Sequence, residues 1–136
     1  MALVIDASVV AAWVFEEEHA NAELAFAQVR MEEAFVPALW WYELRNVLVL
    51  GERRRWLTEQ ETVRFLRDVS RLRISLDRTP EEAAVMTLAR HRRLTVYDAA
   101  YLESALRHAA PLATLDETLA NAARAEGVAV IGHSTR

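Results

Sequence analysis

Short apolar runs alternate with longer segments of helical periodicity along the chain. The apolar runs predict strands at residues 3–5, 35–36, 74–76, 112–114 and 128–131. Between them, apolar residues recur at the three- and four-residue spacing of amphipathic helices. This alternation is typical of α/β units with a parallel sheet. We therefore predict an α/β fold, a three-layer α/β/α sandwich with a five-stranded parallel sheet.

Helices are predicted in the segments between these strands, and several carry start or stop signals. Thr58 and Glu61 have the spacing of a capping box. Thr79 and Pro80 predict a helix with proline at its first position, and Gly127 follows the last predicted helix. The other helices are predicted at about residues 9–13, 20–31, 39–53, 58–70, 95–108 and 117–126.

Length and composition exclude several classes of protein. The 136 residues fit a single domain, which we place at 1–136. The chain has no cysteine, which excludes disulfides and thiol nucleophiles and suits a reducing cytosol. All 16 basic residues are arginine, so no lysine can form a Schiff base or bind phosphate in a P-loop. The first apolar segment is not preceded by basic residues, and no apolar run approaches about 18 residues. We therefore expect no signal peptide and no membrane span, and a cytoplasmic protein.

The charge pattern gives little support for general binding of polyanions. The net charge is −4, whereas affinity for nucleic acids usually depends on a cationic surface. Arg64, Arg67 and Arg71 share one face of a predicted helix and could hold RNA phosphates. A solvated face that pairs with nearby glutamates is the simpler interpretation. The four histidines lack metal-ligand spacing, and we predict that they lie on the surface.

Three of the five aspartates occur where chemistry is expected in an α/β sheet. Asp6 follows the first strand, Asp116 follows the fourth, and Asp98 lies in the first turn of a helix. Ligands of open α/β sheets bind outside the carboxyl ends of the strands. Each aspartate also has a structural interpretation, because aspartate is a common helix N-cap. Asp98 could also be the acidic member of a capping box with Thr95.

Glu43 strengthens the case for a site. It falls within the apolar stripe of its helix, which is formed by Trp40, Leu44, Val47, Leu48 and Gly51. A carboxylate there loses hydration and needs a cation, which could be a metal ion. The alternatives are a salt bridge to an arginine such as Arg45 or Arg53, or a position at the solvated margin of the stripe. Four carboxylates without cysteine or a histidine pair suit Mg²⁺ or Mn²⁺. Such a site fits metal-assisted hydrolysis of a phosphodiester.

Four segments that contain these carboxylates resemble the PIN domain, and within it the VapC-type toxins. The segments are 4–8 (VIDAS), 43–48 (ELRNVL), 94–102 (LTVYDAAYL) and 115–119 (LDETL). Their order and spacing agree along essentially the whole chain. The resemblance implies that the first and fourth strands are neighbours, with Asp6 beside Asp116. It also implies a catalytic Mg²⁺ or Mn²⁺ pocket formed by Asp6, Glu43, Asp98 and Asp116, with Ser8, Asn46 and Thr114 as supporting polar residues.

The resemblance further implies an activity and partners. These toxins are metal-dependent endoribonucleases of bacterial toxin–antitoxin systems; the expected partners are an RNA substrate, a cognate VapB-type antitoxin and a second copy in a homodimer. A phosphoaspartate phosphatase is disfavoured because position 8 is Ser8 and lysine is absent. A non-catalytic module that binds nucleic acid or protein on a PIN-like scaffold stays open as the alternative.

Overall fold

A parallel sheet forms the centre of the molecule. The computed structural model describes residues 2–15 and 20–131. In these ranges the sheet has four strands: β1 (Leu3–Ile5), β2 (Ala34–Pro37), β3 (Ile74–Asp77) and β4 (Leu112–Ala113). Their order is β3-β2-β1-β4, and every pairing is parallel. The predicted α/β class is confirmed.

Helices flank the sheet in two groups. The described helices are α1 (Ala7–Val14), α2 (Ala20–Met31), α3 (Leu39–Arg53), α4 (Glu59–Ser70), α5 (Glu82–Arg92), α6 (Val96–Arg107) and α7 (Glu117–Ala125). Helix α1 packs against α2 and α3, whereas α6 packs against α5, α7 and three of the strands. No helix in the described ranges is both long enough and apolar enough to cross a membrane.

The predicted fifth strand is wrong. Residues 128–131 form an isolated parallel bridge, in which Leu112 pairs with Val130. The Leu112 N–H donates to Ala129 O, and the Ile131 N–H donates to Leu112 O, each at 2.9 Å. Strand β4 has only two residues, so a neighbour finds too few backbone partners to extend the ladder.

The predicted start of the fifth helix is also wrong. Helix α5 begins at Glu82, so Pro80 precedes it by two residues. The Thr79 N–H donates to Asp77 Oδ1 at 3.2 Å, which turns the chain as it leaves β3. Other signals are confirmed: Thr58 and Glu61 form both hydrogen bonds of the capping box. Gly127 follows α7 with a φ of +79°, a conformation that glycine adopts without strain.

Strand pairing determines where the site can form. All three residues of β1 are completely buried, and Ile5 pairs with Ala113 of β4. Because the two strands are parallel, their carboxyl ends lie at the same edge of the sheet. The segments that leave this edge begin with Asp6 on one strand and Thr114 on the other.

Candidate active site

Asp6 lies at the end of β1 and is almost completely buried, with 8% of its surface exposed. Its backbone N–H donates to Ala113 O at 2.9 Å, which extends the pairing of β1 with β4. Asp6 occupies the N-cap position of α1, but its side chain forms no capping hydrogen bond. The carboxylate is therefore not used to cap the helix, and the structural interpretation of Asp6 is not supported.

Two hydroxyl groups hold the Asp6 carboxylate. Thr114 Oγ1 donates to Asp6 Oδ2 at 2.7 Å, and Ser8 Oγ donates to the same oxygen at 2.9 Å. Each hydroxyl also accepts a backbone N–H, that of Asp116 for Thr114 at 3.0 Å and that of Leu115 for Ser8 at 3.1 Å. These bonds tie the two strand ends together and fix the position of one oxygen of Asp6.

Asp116 and Asp98 each lie at the start of a helix. Asp116 caps α7, because its Oδ1 accepts the Leu119 N–H at 3.1 Å. The N-cap interpretation therefore holds for Asp116. In α6 the cap is Thr95, whose hydroxyl accepts the Asp98 N–H at 3.0 Å. Within the described ranges the Asp98 carboxylate makes no return hydrogen bond to Thr95.

Glu43 lies on the inward side of α3, half-buried beside the buried residues Trp40 and Leu44. Tyr101 Oη donates to Glu43 Oε1 at 2.5 Å. The predicted alternative, an ion pair with an arginine, is absent from the described part of the chain: the Arg45 guanidinium instead lies 3.8 Å from the ring centre of Trp41. In the described ranges no cationic side chain therefore lies beside the Glu43 carboxylate to compensate a negative charge.

The four carboxylates influence one another electrostatically. Burial raises the pKa of Asp6, and the charge of Asp116 raises it further. Burial also raises the pKa of Glu43, with additional contributions from Asp6 and Asp98. For Asp98, burial raises the pKa first, followed by the charges of Asp116 and Asp6. The fold therefore brings together four acidic groups from four separate segments, all of which were identified in the sequence.

The donor chemistry of this cluster fits a hard divalent cation. All four groups are carboxylates, the ligands that Mg²⁺ and Mn²⁺ prefer. Within the described ranges no three His, Cys, Asp or Glu side chains lie close enough to bind a metal ion as they stand. Like charges repel and their burial is unfavourable, so a cation is the group that would draw these side chains together.

The three supporting residues have different surroundings. Ser8 and Thr114 both donate to Asp6. Asn46 lies exposed on α3, and no hydrogen bond joins it to the acidic side chains in the described ranges. Its supporting role stays a prediction, as do the catalytic roles of the four carboxylates.

A second polar cluster at the same sheet edge was missed in the sequence. Asp77 ends β3, and its Oδ2 accepts hydrogen bonds from Arg107, from Ser104 at 2.9 Å and from His108 at 3.1 Å. Burial raises the pKa of Asp77, but these bonds and the Thr79 N–H outweigh burial and lower the pKa to about 2. Glu103 holds Arg107 from the other side, with Oε2 2.7 Å from Nε. An aspartate directly after a strand was the available signal, as it was for Asp6 and Asp116.

The cluster also corrects the prediction for His108. Its ring stacks on Phe35 with a centroid distance of 4.1 Å, so it is half-buried rather than a surface residue. His91 is exposed, as predicted. His19 and His133 lie outside the described residues.

Comparison with known proteins agrees with this architecture. The family model of the PIN domain matches residues 3–125. Ribonuclease VapC3 from Pyrobaculum aerophilum is 37% identical over 125 residues, which cover 88% of this chain and 93% of that protein.

Two solved structures share the fold. The crystal structure of PAE2754 from Pyrobaculum aerophilum has a TM-score of 0.68 at 22% identity and covers 96% of this chain and 89% of its own. A toxin–antitoxin complex from Klebsiella pneumoniae has a TM-score of 0.57 at 17% identity, covering 84% and 86%. This chain belongs to the PIN domain family.

Proposed function

We propose that the protein is a divalent-metal-dependent endoribonuclease that acts as the toxin of a bacterial toxin–antitoxin pair. The observation that carries this proposal is the convergence of Asp6, Glu43, Asp98 and Asp116 at one sheet edge, with no arginine paired to any of them in the described ranges. Similarity to a protein named ribonuclease VapC3 supports RNA as the substrate.

In the proposed mechanism Asp6, Asp98 and Asp116 would hold Mg²⁺ or Mn²⁺. When bound, the cation supplies positive charge that stabilises the attacked phosphate and favours ionisation of water. The hydroxyls of Ser8 and Thr114 keep Asp6 in place during loading, because both donate to its Oδ2. A preorganised ligand costs less to order when the ion binds.

Glu43 orients the attacking water and accepts its proton. Its pKa is raised by burial, which makes the carboxylate a stronger base than an exposed glutamate. Attack by the water oxygen on phosphorus forms one P–O bond and breaks the bond to the 3′ oxygen. The products are a 5′-phosphate and a 3′-hydroxyl, and the leaving oxygen takes a proton from solvent. The reaction needs no attack by a ribose 2′-hydroxyl, so weak cleavage of DNA is also expected.

The experiment that tests this proposal is cleavage of a structured RNA pool by the purified protein with Mn²⁺, with EDTA, and with Asp6→Asn in place of the wild type. Metal-dependent cleavage with 5′-phosphate ends, absent in the variant, is the expected result. If folded, metal-loaded protein free of antitoxin cleaves nothing, a Mn²⁺ thermal shift distinguishes the alternatives. A shift indicates a nuclease with a substrate outside the pool, and its absence favours a non-catalytic binding module.

An apolar groove supports the proposal of a protein partner. It lies between α1, α2 and α4, has a volume of about 510 Å³, and is lined mainly by Trp13, Phe26, Phe65, Val69 and Leu72. Phe26 is 39% exposed, and α4 has no buried residue among those described. Apolar surface of this kind is typical of protein interfaces. We propose that an apolar segment of the antitoxin binds in this groove.

Substitutions on α2 separate antitoxin binding from catalysis. Phe26→Asp places a charge in the groove, and we expect antitoxin binding at least about tenfold weaker because a buried aromatic contact is lost. Leu24→Asp is the matched control, since Leu24 is 53% exposed on the same helix and does not line the groove. Both variants should keep RNA cleavage. Equal antitoxin affinity of the two variants would place the partner elsewhere.

We also propose that the protein binds a second copy of itself to form a homodimer. Trp41 is 42% exposed and Trp56 61% exposed, so both side chains are accessible to an interface. Trp41 packs edge-on against Tyr42, which is 71% exposed, so together they form an aromatic surface on α3. Light scattering of the antitoxin-free protein tests this proposal. A monomer at micromolar concentration would contradict it.

A further inference from the structure

Among the described residues, Tyr101 is the largest side chain that is completely buried, and it carries a polar group into the core. It lies on α6, one turn beyond Asp98, at 0% exposure. A buried phenol needs a hydrogen-bond partner for its hydroxyl. A phenylalanine would fill nearly the same volume without that requirement, so the hydroxyl calls for an explanation other than packing.

The partner of this hydroxyl is the carboxylate of Glu43. Tyr101 Oη lies 2.5 Å from Glu43 Oε1, and the residues are 58 positions apart in the sequence. The Ala7 N–H, at the start of the helix that follows Asp6, also interacts with the hydroxyl. A hydrogen bond from a hydroxyl to a carboxylate belongs to the shortest and strongest class found in proteins. It connects helices from the two groups that flank the sheet.

The hydrogen bond restricts the Glu43 side chain and involves only one of its two carboxylate oxygens. A glutamate on a helix surface has several side-chain rotamers, and half-burial alone does not select one. The bond from Tyr101 involves Oε1, and no hydrogen bond to Oε2 occurs within the described ranges, so Oε2 can face water or a cation. An aspartate or glutamate that must act at a fixed point needs such a restraint, because a misplacement of about 1 Å can cost a hundredfold in rate.

We propose that Tyr101 is a positioning residue that fixes the Glu43 carboxylate for its part in hydrolysis. This inference rests on the proposed nuclease function. Tyr101 acts only through Glu43, and its hydroxyl has no direct contact with the RNA or with the reacting atoms. The inference implies that removal of one oxygen atom from the buried core lowers turnover while leaving RNA affinity intact.

The test compares Tyr101→Phe with Tyr97→Phe. Both substitutions remove one phenolic oxygen from α6, but Tyr97 is 64% exposed. For Tyr101→Phe we expect kcat about 10- to 100-fold lower with KM for RNA unchanged. Tyr97→Phe should keep wild-type kinetics. In a Glu43→Gln background, Tyr101→Phe should cause no further loss, because the two residues act as one unit.

A measurement independent of activity examines the contact itself. The hydroxyl proton of Tyr101 should give a slowly exchanging NMR signal in the wild type and in Tyr97→Phe, and the signal should shift in Glu43→Gln. If the wild type cleaves RNA and folded Tyr101→Phe cleaves it equally fast, or the losses of Tyr101→Phe and Glu43→Gln simply add, the positioning role is overturned. A signal insensitive to Glu43→Gln also overturns it. If the wild type cleaves no RNA and shows no Mn²⁺ thermal shift while the NMR signal behaves as expected, the nuclease proposal fails and the contact stands.

Discussion

The Thr114 hydroxyl donates a hydrogen bond to Asp6 Oδ2 at 2.7 Å, although the two residues are 108 positions apart in the sequence. The contact exists because β1 and β4 are adjacent and parallel, which places the residues that follow them side by side. Both residues are buried, so the hydrogen bond is shielded from water. It links the most buried carboxylate of the site to the strand that leads to Asp116.

Thr114→Val should destabilise the protein, because the Asp6 carboxylate and the Asp116 N–H each lose a partner. Buried polar groups left unsatisfied cost about 1–3 kcal/mol, and we expect the free energy of unfolding to fall by an amount within this range. Urea denaturation of the metal-free protein measures this free energy. Thr118→Val, at an exposed position in the first turn of α7, is the control. Equal stability of the two variants would show that the buried contact contributes nothing.

Asp98→Asn should abolish RNA cleavage without unfolding the protein. The amide keeps the size of the side chain but loses the charge that interacts with Asp6 and Asp116. The metal-free variant should melt at or above the wild-type temperature, since repulsion among the carboxylates is relieved. Cleavage assays and circular dichroism provide the two readouts. Asp68→Asn on the exposed face of α4 should remain active. A folded, fully active Asp98→Asn would contradict the assignment.

Mn²⁺ should raise the melting temperature of the wild type and not that of Asp6→Asn. Metal at ten to thirty times its Kd stabilises the folded state by about 1–2 kcal/mol, which corresponds to a shift of several degrees. Differential scanning fluorimetry with and without EDTA measures the shift. Mg²⁺ should act in the same way, while monovalent salt at equal ionic strength should not. An equal shift in Asp6→Asn would locate the metal outside this cluster.

The cluster around Asp77 should control stability in acid. The pKa of Asp77 is lowered to about 2 in the folded protein, so its carboxylate favours folding above its ordinary pKa of 3.8. This contribution is lost as the pH falls through about 2. Asp77→Asn should therefore cost roughly 2 kcal/mol at neutral pH and flatten the acid dependence, since Arg107 loses a charged partner. Urea titrations from pH 7 to pH 2.5 measure both effects.

Asp68→Asn is again the control for this titration, because Asp68 is 63% exposed and its ion pair with Arg71 lies in solvent. It should lose little stability and keep the acid dependence of the wild type. If Asp77→Asn shows the same pH profile as the wild type, Asp77 does not have the lowered pKa and the network is not a source of acid-sensitive stability.

Much of the secondary structure, and three of the four acidic site residues, could be predicted from local patterns in the sequence alone. Short apolar runs and the three- and four-residue spacing of apolar positions reflect local geometry, so four strands and the bounds of α3 could be predicted from them. The capping box at Thr58 is equally local. Asp6 and Asp116 were found because each follows a strand, and Glu43 because it interrupts an apolar stripe. Each of these signals is contained in a few neighbouring residues.

Only the tertiary structure decided which partner each of these groups has. The length of β4 left Val128–Ile131 as a single bridge, which the apolar pattern of that segment could not reveal. Tyr101 and Asp77 carry no local signal of the partners that folding places beside them, which are Glu43 and Arg107 respectively. Hydrogen bonds between residues far apart in the chain depend on strand order and helix packing. The sequence therefore indicated which side chains carry the chemistry, and the fold determined what holds each of them in place.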